Sequence, residues 1–104
     1  MYTIKPPPEF DDWFASLKDP STRARLIRRL EKAARGLLGD VEPVGEGVFD
    51  MREFFGPGWR MYYTQQGDVL IVMLGGGNKS TQSRDIRRAK ELASTLQTGM
   101  EDPP

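Results

Sequence analysis

At 104 residues the chain can bury one modest hydrophobic core but not two. It contains no cysteine and no histidine, which excludes disulfides, thiolate nucleophiles, Ser-His-Asp and Cys-His catalysis, and metal sites built on thiolate or imidazole. The 15 basic and 15 acidic side chains cancel, so overall charge does not announce a nucleic-acid binder.

Tyr2 to Lys5 alternates weakly and could form a short edge strand, stopped by Pro6-Pro7-Pro8, which donate no backbone hydrogen bonds. Phe10, Trp13, Phe14 and Leu17 then recur at helical spacing and predict a short helix. Asp19-Pro20 is a strong second start signal, with Asp19 as N-cap and Pro20 at the first helical position. The stripe Ile27, Leu30, Ala34, Leu37 continues that helix toward Gly36 and Gly39 as stop residues. The two helices are expected to form an antiparallel hairpin. Glu9, Asp11 and Asp12 open the first helix, where carboxylates favour the dipole, and metal binding is not expected there.

Charge is unevenly placed along the chain. Residues 18–35 carry seven basic side chains against Asp19 and Glu31, whereas residues 36–58 carry five acidic ones against Arg52 alone. The basic helix from Arg23 to Arg35 could lie along nucleic acid or face an acidic partner. The plainer alternative is the solvated side of an amphipathic helix.

After Gly45 and Gly47 the period changes to two. Val48 to Phe54 reads as a strand with Phe49 and Met51 on one face, Asp50 and Arg52 on the other. Gly56-Pro57-Gly58 signals a tight turn, and Trp59 to Thr64 a strand placing Met61 and Tyr63 opposite Arg60 and Tyr62. Val69 to Leu74 is apolar enough for a central strand. It is also the longest clean apolar run, far short of the ~18 residues a membrane span needs, and the opening MYTIKPPPEF has no secretory pattern, so a cytoplasmic protein without membrane contact is expected. Gly75, Gly76 and Gly77 lead to Ser80 or Thr81 as the cap of a last helix carrying Ile86, Ala89, Ala93 and Leu96. Residues 98–104 are polar and Pro-rich and read as a flexible tail, leaving 1–97 as the domain.

The predicted class is α+β with the order β-α-α-β-β-β-α. Its last three strands form a small antiparallel meander, with the helices on one face and the other face available to a partner. Arg52, Arg60 and Tyr62 share parity on neighbouring strands and can face one side together. Two guanidiniums and a phenol suit a phosphodiester; weak surface pairs such as Arg60–Asp50 are the alternative. The Gly-rich run before Lys79 fails the P-loop spacing, because Met73 and Asn78 stand where glycines are required. ATP or GTP hydrolysis is rejected on that ground. A weaker reading survives in which the turn's backbone N–H groups, with Lys79, receive an anion.

Taken together, Val48–Arg52 (VFDMR), Phe55–Tyr63 (FGPGWRMYY) and Leu74–Ile86 (LGGGNKSTQSRDI) resemble the addiction-module killer branch of the RelE/ParE toxin superfamily, near the HigB-type toxins. The likeness extends over essentially the whole chain. It implies a small toxin neutralised in a hetero-oligomer by a co-encoded helix-turn-helix antitoxin. Many relatives cut messenger RNA on the ribosome without a metal or other cofactor, the ribose 2′-OH attacking the adjacent phosphate. The same resemblance implies catalytic roles for Arg60 (stabilising the phosphorane), Tyr62 (proton transfer or base stacking) and Lys79. Arg52, Gln82 and Arg84 would bind RNA phosphates. ParE-like relatives share the scaffold and poison DNA gyrase instead, and a repurposed binding module would do neither. Where relatives have Asp-Lys in the turn this chain has Asn78-Lys79, and its lack of histidine excludes the His-dependent chemistry of some HigB relatives.

Overall fold

The structure, a computed structural model, describes the backbone of residues 1–101 and the side chains of residues 1–96. Its elements are β1 (Thr3–Lys5), α1 (Pro8–Ser16), α2 (Pro20–Ala34), β2 (Val41–Gly45), β3 (Val48–Arg52), β4 (Arg60–Gln66), β5 (Leu70–Gly77), a 3₁₀ turn (Lys79–Thr81) and α3 (Gln82–Glu101). The expected α+β class therefore holds, with one strand more than the sequence suggested. Helix α3 runs into the segment expected as a tail, and residues 102–104 lie outside the described residues. No described helix is long and apolar enough to cross a membrane.

The α2 boundaries follow from local chemistry. The Thr22 amide and hydroxyl donate to Asp19 Oδ2 at 3.3 and 2.8 Å, and the hydroxyl's bond does most to hold that carboxyl below its ordinary range. Pro20 occupies the first turn, where its missing N–H costs nothing. At the other end Gly36 takes φ +92°, and the Gly36 and Leu37 amides donate back to Ala33 and Lys32. That is the paired 5→2 and 6→1 closure for which a left-handed glycine is suited.

The five strands lie in the order β1-β5-β4-β3-β2, with β1 parallel to β5 and the other pairs antiparallel. β2 is the strand the sequence concealed. It carries Pro43, which an edge strand tolerates because one side of its backbone makes no ladder bonds. Opposite it, Phe49 and Tyr63 are register partners whose rings stack 5.5 Å apart.

Helices cover both faces of this sheet, which corrects the expectation of an open face. On one face Phe10, Leu17, Leu26 and Ala33 of the α1–α2 region pack with Met51, Met61, Tyr63, Ile71 and Met73. Burial of this kind stabilises by about 25 cal/mol per Å² of apolar surface. On the other face α3 sets Ala89 and Ala93 against Val48, Tyr62, Val72 and Leu74. Alanines at the contact let the helix approach the sheet closely. The two N-terminal helices pack chiefly on the sheet, α1 on β5 and α2 on β1. An apolar groove of about 210 Å³, lined by Ile4, Phe10, Phe14, Ile27 and Leu30 among others, lies between them.

The buried stripe of α2 also differs from the predicted one. Thr22, Leu26 and Ala33 are buried, while Ile27 and Leu37 are 45% and 60% exposed. Arg29 shares the buried side. Its guanidinium donates to the carbonyls of Leu38, Asp40 and Arg52 and pairs with Glu53. This arginine is a staple between α2, the loop that follows it and the end of β3, so the basic helix is not uniformly a solvated face.

Candidate functional site

The expected parity holds on the α3 side of the sheet. Asp50 pairs in register with Tyr62, Arg52 with Arg60, Tyr62 with Gly75 and Arg60 with Gly77. Four polar side chains thus form a ladder across β3 and β4, beneath and beside α3. Their environments differ sharply.

Asp50 is fully buried, and Arg52 Nε lies 3.3 Å from its Oδ1. The Arg52 guanidinium also reaches Glu42 of β2 at 3.1 Å. With two carboxylate partners, Arg52 carries little uncompensated charge. Arg60 is the opposite case. It is partly buried, its Nε has no hydrogen-bond partner, and it makes no ion pair among the described residues. The Arg60–Asp50 surface pair considered from sequence is therefore replaced by a buried Asp50–Arg52 pair.

Tyr62 is fully buried, and its hydroxyl has no hydrogen-bond partner among the described residues. Burial, then the carboxylates of Asp85 and Asp50, push its pKa up to about 12, against opposing contributions from Arg60 and Arg52. The phenol is thus neutral at physiological pH and can offer a proton to a hydrogen bond, but cannot serve there as a base. With no exposed surface, it does not stack on a base as the sequence reading allowed.

The glycine run belongs to β5, not to a loop, and each glycine has its own reason. Gly75 takes φ +138° beside an irregularity in the β4–β5 register. A Cβ on Gly76 would lie 2.5 Å from the Trp13 ring, and one on Gly77 would collide with the Asp85 carboxylate. The anion-cradle reading is corrected by the turn itself. Its amides are already engaged: Asn78 N–H with Thr81 Oγ1, Lys79 N–H with the Pro57 carbonyl, Ser80 N–H with Asn78 Oδ1 and Thr81 N–H with the Asn78 carbonyl. Asn78 caps this 3₁₀ turn, its side chain accepting from the Ser80 amide.

Lys79 stands exposed at this turn, its amide donating to the Pro57 carbonyl, and a Cβ added at Gly58 would meet the Lys79 Cβ at 3.4 Å. Gln82 opens α3 half-buried. Arg84 is exposed, 3.6 Å from Asp85, and lines a different feature. That feature is a cleft of about 330 Å³ between α1 and α3, shared with Glu9, Asp12, Trp13, Asp85 and Arg88. The structure thus gathers Arg52, Arg60 and Tyr62, sets Lys79 and Gln82 at the neighbouring turn, and turns Arg84 toward a cleft of mixed charge. The cleft's cations, Arg84 and Arg88, are balanced by Glu9, Asp12 and Asp85, whereas Arg60 of the ladder makes no ion pair among the described residues.

Asp85 was not singled out by sequence reasoning, and Asp50 entered it only as a surface partner for Arg60. Asp50 is signalled only by an acidic residue inside an apolar strand, and Asp85 by its place one turn into a helix after Thr81, whose hydroxyl donates to it at 2.5 Å. Among the described residues no cluster of three potential metal ligands occurs.

No family model matches the chain. It is 40% identical over 93 residues, 89% of its own length and 94% of the relative's, to an uncharacterized protein of Haemophilus influenzae.

Proposed function

The chain belongs to the same family as that Haemophilus influenzae protein, and we propose that it is the toxin of a type II toxin–antitoxin module, a metal-independent, ribosome-dependent messenger-RNA endonuclease of the RelE/ParE superfamily acting in the cytoplasm. The observation that carries this reading is Arg60. A partly buried guanidinium with no carboxylate partner among the described residues, set beside a phenol that stays neutral, is an unsatisfied positive site in a poorly screened place. A phosphodiester passing through its transition state supplies the missing negative charge.

In this reading the 2′-OH attacks the adjacent phosphorus, the P–O5′ bond breaks, and a 2′,3′-cyclic phosphate and a 5′-hydroxyl end result. Arg60 stabilises the doubly charged phosphorane, and exposed Lys79 meets the RNA at the mouth of the site. Tyr62, buried beside Arg60, positions it and does not touch substrate. Arg52, held by Asp50 and Glu42, stiffens the strand pair and contributes only a screened field to the flanking phosphate. Gln82 and Arg84 would hold RNA past the turn. A helix-turn-helix antitoxin completes the proposed hetero-oligomer, and the apolar groove between α1 and α2 offers it a place to dock.

The test is induction in growing cells with RNA 5′ ends mapped and supercoiling by gyrase assayed in parallel. The expected result is growth arrest with new messenger-RNA ends, both lost in Arg60→Ala. Intact messenger RNA with blocked gyrase would replace the endonuclease reading with that of a ParE-like poison. Absence of any growth effect would leave a repurposed binding module.

A further inference from the structure

The outer side of α2 shows a feature that the ladder does not explain. Arg25, Arg28, Lys32 and Arg35 are all exposed and recur at i, i+3, i+7 and i+10, one stripe about 15 Å long at 1.5 Å per residue. None of them makes an ion pair among the described residues. At one end of the stripe the Arg25 guanidinium lies over the Phe55 ring, 4.1 Å from its centroid. Next to it, Phe54 is 84% exposed and joins neither core cluster.

An exposed phenylalanine on a wandering loop would mean little. This one stands on a fixed base. Arg29 grips both the Arg52 carbonyl and the Glu53 side chain, and the Glu53 amide donates to the Trp59 carbonyl at 2.9 Å. The far side of the same loop is tied to Lys79 through the Pro57 carbonyl at 3.4 Å. The loop therefore runs from the cation stripe of α2 to the turn that presents Lys79 next to the Arg60 strand, with a ring standing out between them.

We propose that Phe54 and the α2 stripe form a tract for single-stranded RNA, the ring stacking a base and the cations following the phosphates on one side of the cleavage point. This extension rests on the endonuclease reading. Cations in a row with an aromatic platform match single-strand binding, where backbone charge and stacking work together without base-specific contacts. An acidic protein helix fits less well, because such a partner docks through an apolar seam. Ile27, an exposed apolar residue of the same helix, lines the groove between α1 and α2 instead.

The experiment measures fluorescence anisotropy of a short single-stranded RNA with 2′-O-methyl riboses, which the proposed chemistry cannot cleave, over a salt titration. Phe54→Ala is expected to weaken binding roughly five- to a hundredfold with the salt slope unchanged. Arg28→Gln with Lys32→Gln is expected to reduce the slope of log K against log salt by roughly 0.7 per cation removed. Thermal unfolding of both variants should match the unaltered protein, since neither change touches the core. Wild-type affinity and slope in both variants overturn the tract, as does loss of a co-expressed protein partner with RNA affinity intact. Cleavage assays separate the two proposals. Normal RNA binding by these variants, with cleavage still dependent on Arg60, removes the tract alone. An RNA tract that behaves as expected, in a protein whose Arg60→Ala variant still cleaves, removes the catalytic assignment alone.

Discussion

The two faces of the sheet are built to different rules. The face under α1 and α2 is dry, with Met51, Met61, Tyr63, Ile71 and Met73 interlocking with side chains of Phe10, Leu17 and Leu26. The face under α3 has a smaller apolar cluster and shares its strands with Asp50, Arg52, Arg60 and Tyr62. Among the described residues the buried polar side-chain atoms without a hydrogen bond, Asp50 Oδ1 (which still faces Arg52 Nε as an ion pair), Arg60 Nε and Tyr62 Oη, all lie on this second face. A buried group left unsatisfied costs about 1–3 kcal/mol, so a sheet shaped only for stability would not collect them. Stability rests mainly on the first face, and the second carries the unmet polar groups.

Substitutions on each side can break that contrast. The largest stability effect is expected on the dry face. Met61→Ala should lower unfolding free energy by about 2–5 kcal/mol in a denaturant titration, and its cleavage activity below the transition should persist. Asp50→Ala should lower stability by about 1–3 kcal/mol, since it strips Arg52 of its buried partner. Activity should fall further than the loss of folded protein explains, because the strand pair beside Arg60 loosens. A stability loss with full activity would show the ladder to be structural.

The smallest effect is expected for Tyr62→Phe, neutral to about 1 kcal/mol stabilising, since its hydroxyl leaves no partner behind. The sign of its pH dependence can also be tested. A folded pKa of about 12, above the ordinary tyrosine value of 10.0, means that the folded chain holds the phenolic proton more tightly than the unfolded chain. The associated stability is complete below pH 10 and is lost as pH rises toward 12. Tyr62→Phe should therefore flatten the alkaline fall in melting temperature. An unchanged alkaline limb would show that the phenol is not held as described.

Much of this architecture was legible locally. The i, i+3, i+4 spacing of Phe10, Trp13 and Phe14, the Asp19-Pro20 start of α2, and the strand parity of Arg52, Arg60 and Tyr62 all depend on near neighbours, and the structure places them as expected. Features set by distant packing were not legible. Pro43 hid β2, because a proline is acceptable in a strand only once that strand is known to be an edge. The α2 stripe was displaced by Arg29, whose burial depends on carbonyls and a carboxylate far along the chain. Gly76 and Gly77 looked like a loop because their reasons, the Trp13 ring and the Asp85 carboxylate, arrive from other elements. The candidate site divides in the same way. Its residues could be named from parity, but which arginine keeps a free charge depends on Asp50 and Glu42.

That free charge is best tested by measuring messenger-RNA cleavage and thermal unfolding on the same preparation of Arg60→Ala. Removing a preorganised charge from a transition state costs about a hundred- to a thousandfold in rate. The expected result is a loss of that size with a melting temperature equal to or above that of the unaltered protein, since a partly buried, unpaired guanidinium has been removed. Cleavage at the wild-type rate in a folded Arg60→Ala protein would contradict the account.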